Sequence, residues 1–85
     1  MQVLIVGGGR TGSELASILL QEGHHVTVIE QRPELLPRLQ KEIPRATIVA
    51  GDGCEPAVLE QANIRKANVV VAVTGHDEDN LVVCL

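Results

Sequence analysis

Gly7-Gly8-Gly9-Arg10-Thr11-Gly12 fits G-x-G-x-x-G, a string whose chemistry is the seating of a phosphate and not the breaking of a bond. Gly7 permits a tight turn, Gly9 lets the backbone approach a pyrophosphate, and Gly12 lets the following helix pack closely on the strand. That helix supplies unpaired N–H groups and a positive dipole end to the phosphates. Alone the string is weak, but Glu30 ends the next apolar segment 18 residues beyond Gly12, close to where an acidic ribose ligand is expected. Glu30 would accept hydrogen bonds from ribose hydroxyls, and its charge would repel a 2′-phosphate. NAD or an adenosine phosphate is therefore favoured over NADP. Gln31 and Arg32 follow directly, and Arg32 would soften that repulsion. No G-K-[ST] is present, which excludes P-loop chemistry.

Other residues on the same rim have two readings each. Arg10 is the charged side chain of the glycine turn; it reaches a phosphate by a charge-assisted bond or is solvated on the first helical turn. Thr11 lies beside it. Gly51-Asp52-Gly53 comes straight after the third strand, so Asp52 meets the adenosine end of a ligand, caps the next helix, or does both. Cys54 lines an adenine pocket or is a small buried thiol. Thr74 and Gly75 follow the fourth strand, where Thr74 faces the phosphates or a nicotinamide; in the plainer reading Thr74 or Asp77 caps the last helix. His76, His24 and His25 read as solvated. Cys54 and Cys84 have no CxxC spacing, favour neither a metal site nor a disulfide framework, and are expected as free thiols. No catalytic constellation is visible.

The elements that must place these residues read off cleanly. Val3-Leu4-Ile5-Val6 is a continuous apolar run, the mark of a strand buried on both faces. Leu15, Ile18 and Leu19 give helical spacing from about Arg10 to Glu22, with Gly23 suited to the left-handed residue after it. Val26 to Ile29 is a second strand. Arg32-Pro33-Glu34 opens a helix with Leu35, Leu36, Leu39 and Ile43 as its apolar stripe, but Pro37 requires either a kink or a start at Pro37 itself. Thr47 to Ala50, Pro56 to Ala62 and Asn68 to Val73 are strand, helix and strand, and Asp77, Glu78 and Asp79 open a fourth helix. This is βαβαβαβα: an α/β, Rossmann-like parallel sheet of order 3-2-1-4 with helices on both faces, a truncated half of the doubly wound fold.

The 85 residues form one small domain, 1–85, whose core is Val, Leu, Ile and Ala because Phe, Tyr and Trp are absent. A formal charge of -4 without basic clusters excludes nucleic acid as a natural partner. No apolar run approaches the ~20 residues that insert into a bilayer, and a soluble, cytoplasmic protein is expected. The fourth strand is apolar on both faces with nothing after it to pair with, and Leu81 to Leu85 are apolar all round. A bare apolar edge invites association, so a fragment of a longer chain or cover by another chain, such as a homo-oligomer, is expected.

Three blocks carry a family resemblance: G-G-G-R-T-G with V-I-E closing the next strand; G-D-G-C-E-P-A-V-L-E-Q-A-N-I; and A-N-V-V-V-A-V-T-G-H-D-E-D-N-L. Together they resemble the N-terminal lobe of RCK or KTN domains (TrkA-N), over nearly the whole chain. The resemblance implies a cytoplasmic ring, peripheral to the membrane, on an integral-membrane potassium channel or transporter subunit. It implies NAD, NADH, ATP or ADP as the ligand whose exchange controls ion flux. By the same resemblance the glycine turn with Arg10 holds phosphates, Glu30 the ribose, and Asp52 with Gly53 the adenine side. The chain departs from the family pattern at His76, where an acid is frequent, at Asn63, where glycine is usual, and at Cys54, where a small hydroxyl residue is common.

A binding and regulatory module, not an enzyme, is thus the leading expectation. The alternative is the cofactor half of an NAD-dependent oxidoreductase, for which a positioned acid or base is missing from the sequence. A Rossmann-like scaffold without ligand is the third.

Overall fold

The computed structural model describes residues 1–73. Strands β1 (Gln2–Val6), β2 (His25–Glu30), β3 (Thr47–Ala50) and β4 (Val69–Ala72) alternate with helices α1 (Arg10–Gln21), α2 (Leu36–Glu42) and α3 (Pro56–Gln61). The sheet is parallel, in the order β3-β2-β1-β4, as the alternation of elements requires. The expected fourth helix, Thr74, Gly75, His76 and Cys84 lie outside the described residues.

β1 alternates between two cores. Val3 and Ile5 point to one face with Val26, Val28, Ala16, Leu39 and Ile43; Leu4 points to the other with Ile29, Val58 and Ala62. The first core sits under α1 and α2, the second under α3. A continuous apolar run is what a strand covered on both faces needs.

α1 stops where Gly23 takes φ +89°, and the amides of Gly23 and His24 bond back to the carbonyls of Leu20 and Leu19 at 3.1 Å each. This paired closure consumes carbonyls the helix would otherwise leave open. Pro37 divides the following segment. Pro33–Leu35 forms a 3-10 turn and α2 begins at Leu36, so Pro37 falls in the first turn, where a missing amide costs nothing. At the far side, Val69 and Val70 of β4 remain 40% and 50% exposed.

Candidate functional site

Parallel register brings the carboxyl ends of all four strands to one rim. Val6 pairs with Ile29 and Ala72, and Glu30 with Ala50. The ladder runs on past the strands: the Gly7 amide donates to Ile29 O at 2.8 Å, the Gly51 amide to Glu30 O at 3.0 Å, and the Val73 amide to Val6 O at 2.7 Å. The glycine turn, Glu30 and the Gly51-Asp52-Gly53 loop are therefore neighbours although far apart in sequence.

Within the turn the glycines face different neighbours. Gly7 adopts φ +111°, a conformation L side chains rarely take. A Cβ on Gly12 would collide with the Gly7 carbonyl, so the first turn of α1 rests directly on the backbone that leaves β1. A Cβ on Gly8 would press on Leu39 Cδ1 at 2.5 Å, beneath the turn. Gly9 is open: apart from its own chain neighbours, the atom within 4 Å of its would-be Cβ is Arg32 Nη2 at 3.5 Å. Gly9 is also the N-cap of α1, offers no side-chain cap, and is followed by a first turn without acidic residues. The Ser13 amide is the first to bond back, to Gly9 O at 2.9 Å. An N-terminus of this kind presents positive potential and amide donors.

Glu30 is the buried charge of the rim, its side chain 3% exposed. Its Oε1 accepts from the Gly8 amide at 2.7 Å and from Arg32 Nη2 at 3.2 Å; its Oε2 accepts from the Arg32 amide at 2.8 Å and from Arg32 Nε at 2.9 Å. Burial acts to raise the carboxyl, but the bonds from the Arg32 side chain, the Arg32 amide and the Gly8 amide, with the guanidinium charge, outweigh it and hold Glu30 below its ordinary value. The bond to Glu30 likewise raises Arg32, against a smaller opposing effect of burial.

The other expected residues are placed as follows. Arg10 and Thr11 are exposed on the first turn of α1, and Gln31 is exposed beside Glu30. Asp52 does not cap α3, whose N-cap is Glu55; its Oδ1 instead accepts from the Cys54 amide at 2.9 Å, closing a local turn. Gly53 is buried where a Cβ would strike Val6 Cγ1, so its lack of a side chain lets this loop fold over the end of β1. Cys54 is exposed and is not a free thiol, a correction to the expectation of a free, small buried thiol. Thr74 and Gly75 lie outside the described residues. His24 is half-buried with Nε2 3.9 Å from Glu22 Oε1, while His25 is exposed at the start of β2; both stand at the opposite end of the sheet from the glycine turn.

Beside Arg10 lies a groove of about 330 Å³ that pattern alone does not reveal, lined by Arg10, Ser13, Glu14, Ser17, Arg38 and Glu42. Its sole advance signal is the i,i+4 spacing of Arg38 and Glu42, whose side chains lie 3.3 Å apart. Among the described residues no group of acidic, His and Cys side chains could hold a metal ion. None of their helices is long and apolar enough to cross a membrane.

A model of the TrkA-N domain matches residues 3–85. The chain is similar to a Trk system potassium uptake protein TrkA homolog of Methanothermobacter thermautotrophicus, with 45% identity over 85 residues, 100% of this chain and 39% of that protein. A TrkA homolog of Pyrococcus horikoshii is 38% identical over 100% of the chain and 37% of that protein. For the Trk system potassium uptake protein TrkA of Mycobacterium tuberculosis the identity is 38%, over 100% of the chain and 38% of that protein. The chain thus spans less than two-fifths of the length of these curated relatives.

Proposed function

Since this chain belongs to the TrkA-N domain family, we propose that it is a nucleotide-binding regulatory module of a potassium transport system. The relatives are named as potassium uptake proteins, and a transport regulator, not an enzyme, fits that company. In this reading the module is cytoplasmic and peripheral, works as a homo-oligomer, and acts through an integral-membrane potassium channel or transporter subunit. It forms a domain of a longer protein, with β4 covered by further polypeptide.

The observation that supports ligand binding most strongly is the pairing of Glu30 with the glycine turn through the Gly8 amide. It aims a carboxylate at the place where the turn and the amino end of α1 would receive a diphosphate. The residues present fit such a group: Gly9 has an open face, the first turn of α1 has no acidic side chain, and Arg10 and Arg32 supply positive charge. Gly7, Gly8, Gly9, Arg10, Thr11 and Gly12 would hold the phosphates, Glu30 with Gln31 the ribose, Arg32 would supply positive charge between the two, and Asp52, Gly53 and Cys54 would meet the adenine side, with Thr74 and Gly75 completing the rim. The ligand is NAD, NADH, ATP or ADP, with NADP disfavoured by the charge of Glu30.

A regulator of this kind acts only through differential affinity of its ligands for two states of the assembly. Calorimetric titration with NAD, NADH, ATP, ADP and NADP tests the reading. Saturable binding of at least one of the first four, tighter than NADP, is expected; heat from none of them would overturn it.

A further inference from the structure

Glu30 is saturated. A carboxylate oxygen offers two lone pairs, and each oxygen of Glu30 already accepts from two donors. Two of the four donors are backbone amides fixed by the fold. The other two belong to one guanidinium, on a side chain 42% exposed against 3% for Glu30. The same guanidinium overlies the glycine turn, with Nη2 at 3.5 Å from the would-be Cβ of Gly9. Arg32 thus stands between the carboxylate suited to a ribose and the glycine face suited to a diphosphate.

Sugar hydroxyls can reach Glu30 only by replacing the guanidinium. Arginine stays charged, so it cannot leave by losing its proton, and a displaced guanidinium needs another anion or open water. A diphosphate lying on the glycine turn supplies that anion next to where the guanidinium already stands. A bare nucleoside does not, and its binding carries the full loss of the ion pair.

Resting on the nucleotide reading proposed above, we infer that Arg32 is the specificity-determining residue of this rim: it exchanges Glu30 for a ligand phosphate, so the site takes nucleoside diphosphates and their derivatives and rejects bare nucleosides. Arg32 is then a counter-ion with two alternative partners, not a fixed part of the ribose pocket.

Calorimetry with ADP and adenosine on the wild-type protein, Arg32→Ala and Arg32→Lys tests this. In Arg32→Ala, Glu30 keeps both backbone donors, so ADP should weaken about tenfold while adenosine tightens by a few-fold to about tenfold. These are the effects of removing one charge-assisted hydrogen bond to the phosphate and one competitor for the carboxylate. Arg32→Lys keeps the charge without the two-pronged fit, and should move both affinities the same ways by less; it carries the test if the alanine variant folds poorly. The opposite signs are the diagnostic, because a merely damaged site weakens both ligands. Affinities that fall together, or an unchanged ADP-to-adenosine ratio in both variants, overturn the exchange and leave the nucleotide reading standing. Failure of the wild-type protein to bind ADP, ATP, NAD or NADH overturns the reading and the exchange with it.

Discussion

Glu30 Oε1 accepts the Gly8 amide proton at 2.7 Å, so the end of β2 is fastened to the turn after β1 by a side chain, one residue past the last ladder bond between Gly7 and Ile29. The bond shapes the turn as well as presenting a carboxylate. Glu30→Ala should therefore lose stability by about 1–3 kcal/mol, the cost of leaving a buried amide without its acceptor. Urea denaturation reads that loss, and an unchanged midpoint would show that the turn holds itself. Affinity for ADP should fall by a comparable amount, about tenfold or more, when measured where the variant is still folded.

The same carboxyl fixes the sign of the acid response. Its folded value lies below the ordinary one, so its contribution is complete above the unfolded value, about pH 4.3, and is lost as pH falls through the lower folded value. Between the two the unfolded chain binds more protons, and stability must rise with pH. Melting temperatures taken from pH 7 down to 3 should drop steeply only at the acid end, and Glu30→Gln should flatten that drop. A variant with the same acid slope as the wild type would assign the titration to other carboxylates.

Two glycines of one turn should respond differently to the same added methyl. At Gly12 the new Cβ meets the Gly7 carbonyl, which is backbone and cannot yield without moving α1 off β1. At Gly8 it meets the tip of Leu39, which can change rotamer. Gly12→Ala should cost about 3 kcal/mol or more and Gly8→Ala about 1–2 kcal/mol, the usual range for overpacking that side chains absorb. Chemical denaturation of the two variants compares them directly, and equal losses would mean that helix and turn shift together without penalty.

The sheet order and the rim are legible in the sequence because both follow from local pattern: apolar runs ending in glycine, helical spacing between them, and right-handed crossovers. Glu30 is identifiable by its distance from Gly12. Its saturation by Arg32 is not, since a guanidinium two residues along a chain that has left the strand can fold back or extend, and only the path of Arg32 into the 3-10 turn decides. Asp52 is ambiguous for a similar reason. A short acid before a helix caps it if the helix starts at once, but here three residues intervene before Pro56, and Asp52 closes its own turn on Cys54 instead. Gly53 suits a ligand-facing loop by pattern, yet packing on Val6 already demands a glycine there. Steric demands between segments distant in sequence leave no periodic trace.

Asn63 shows how this chain makes a left-handed reversal without a glycine. It adopts φ +60°, the left-handed residue after α3 and before a 3-10 turn at Ile64–Lys66. Among the described residues it is the one non-glycine with positive φ. Its amide donates to Glu60 O at 3.0 Å and its carbonyl accepts from the Lys66 amide at 2.9 Å, so the reversal is pinned on both sides and cannot relax into a right-handed form. Asparagine tolerates this region better than other side chains do. Asn63→Gly should therefore be nearly neutral, because relief of the left-handed strain offsets the added freedom of the unfolded chain. Asn63→Val, β-branched, should lose about 1–2 kcal/mol for the left-handed backbone alone. Thermal melts of the pair should separate by several degrees, and a valine variant as stable as the glycine one would show that this reversal can be rebuilt without disturbing the approach of β4 to β1.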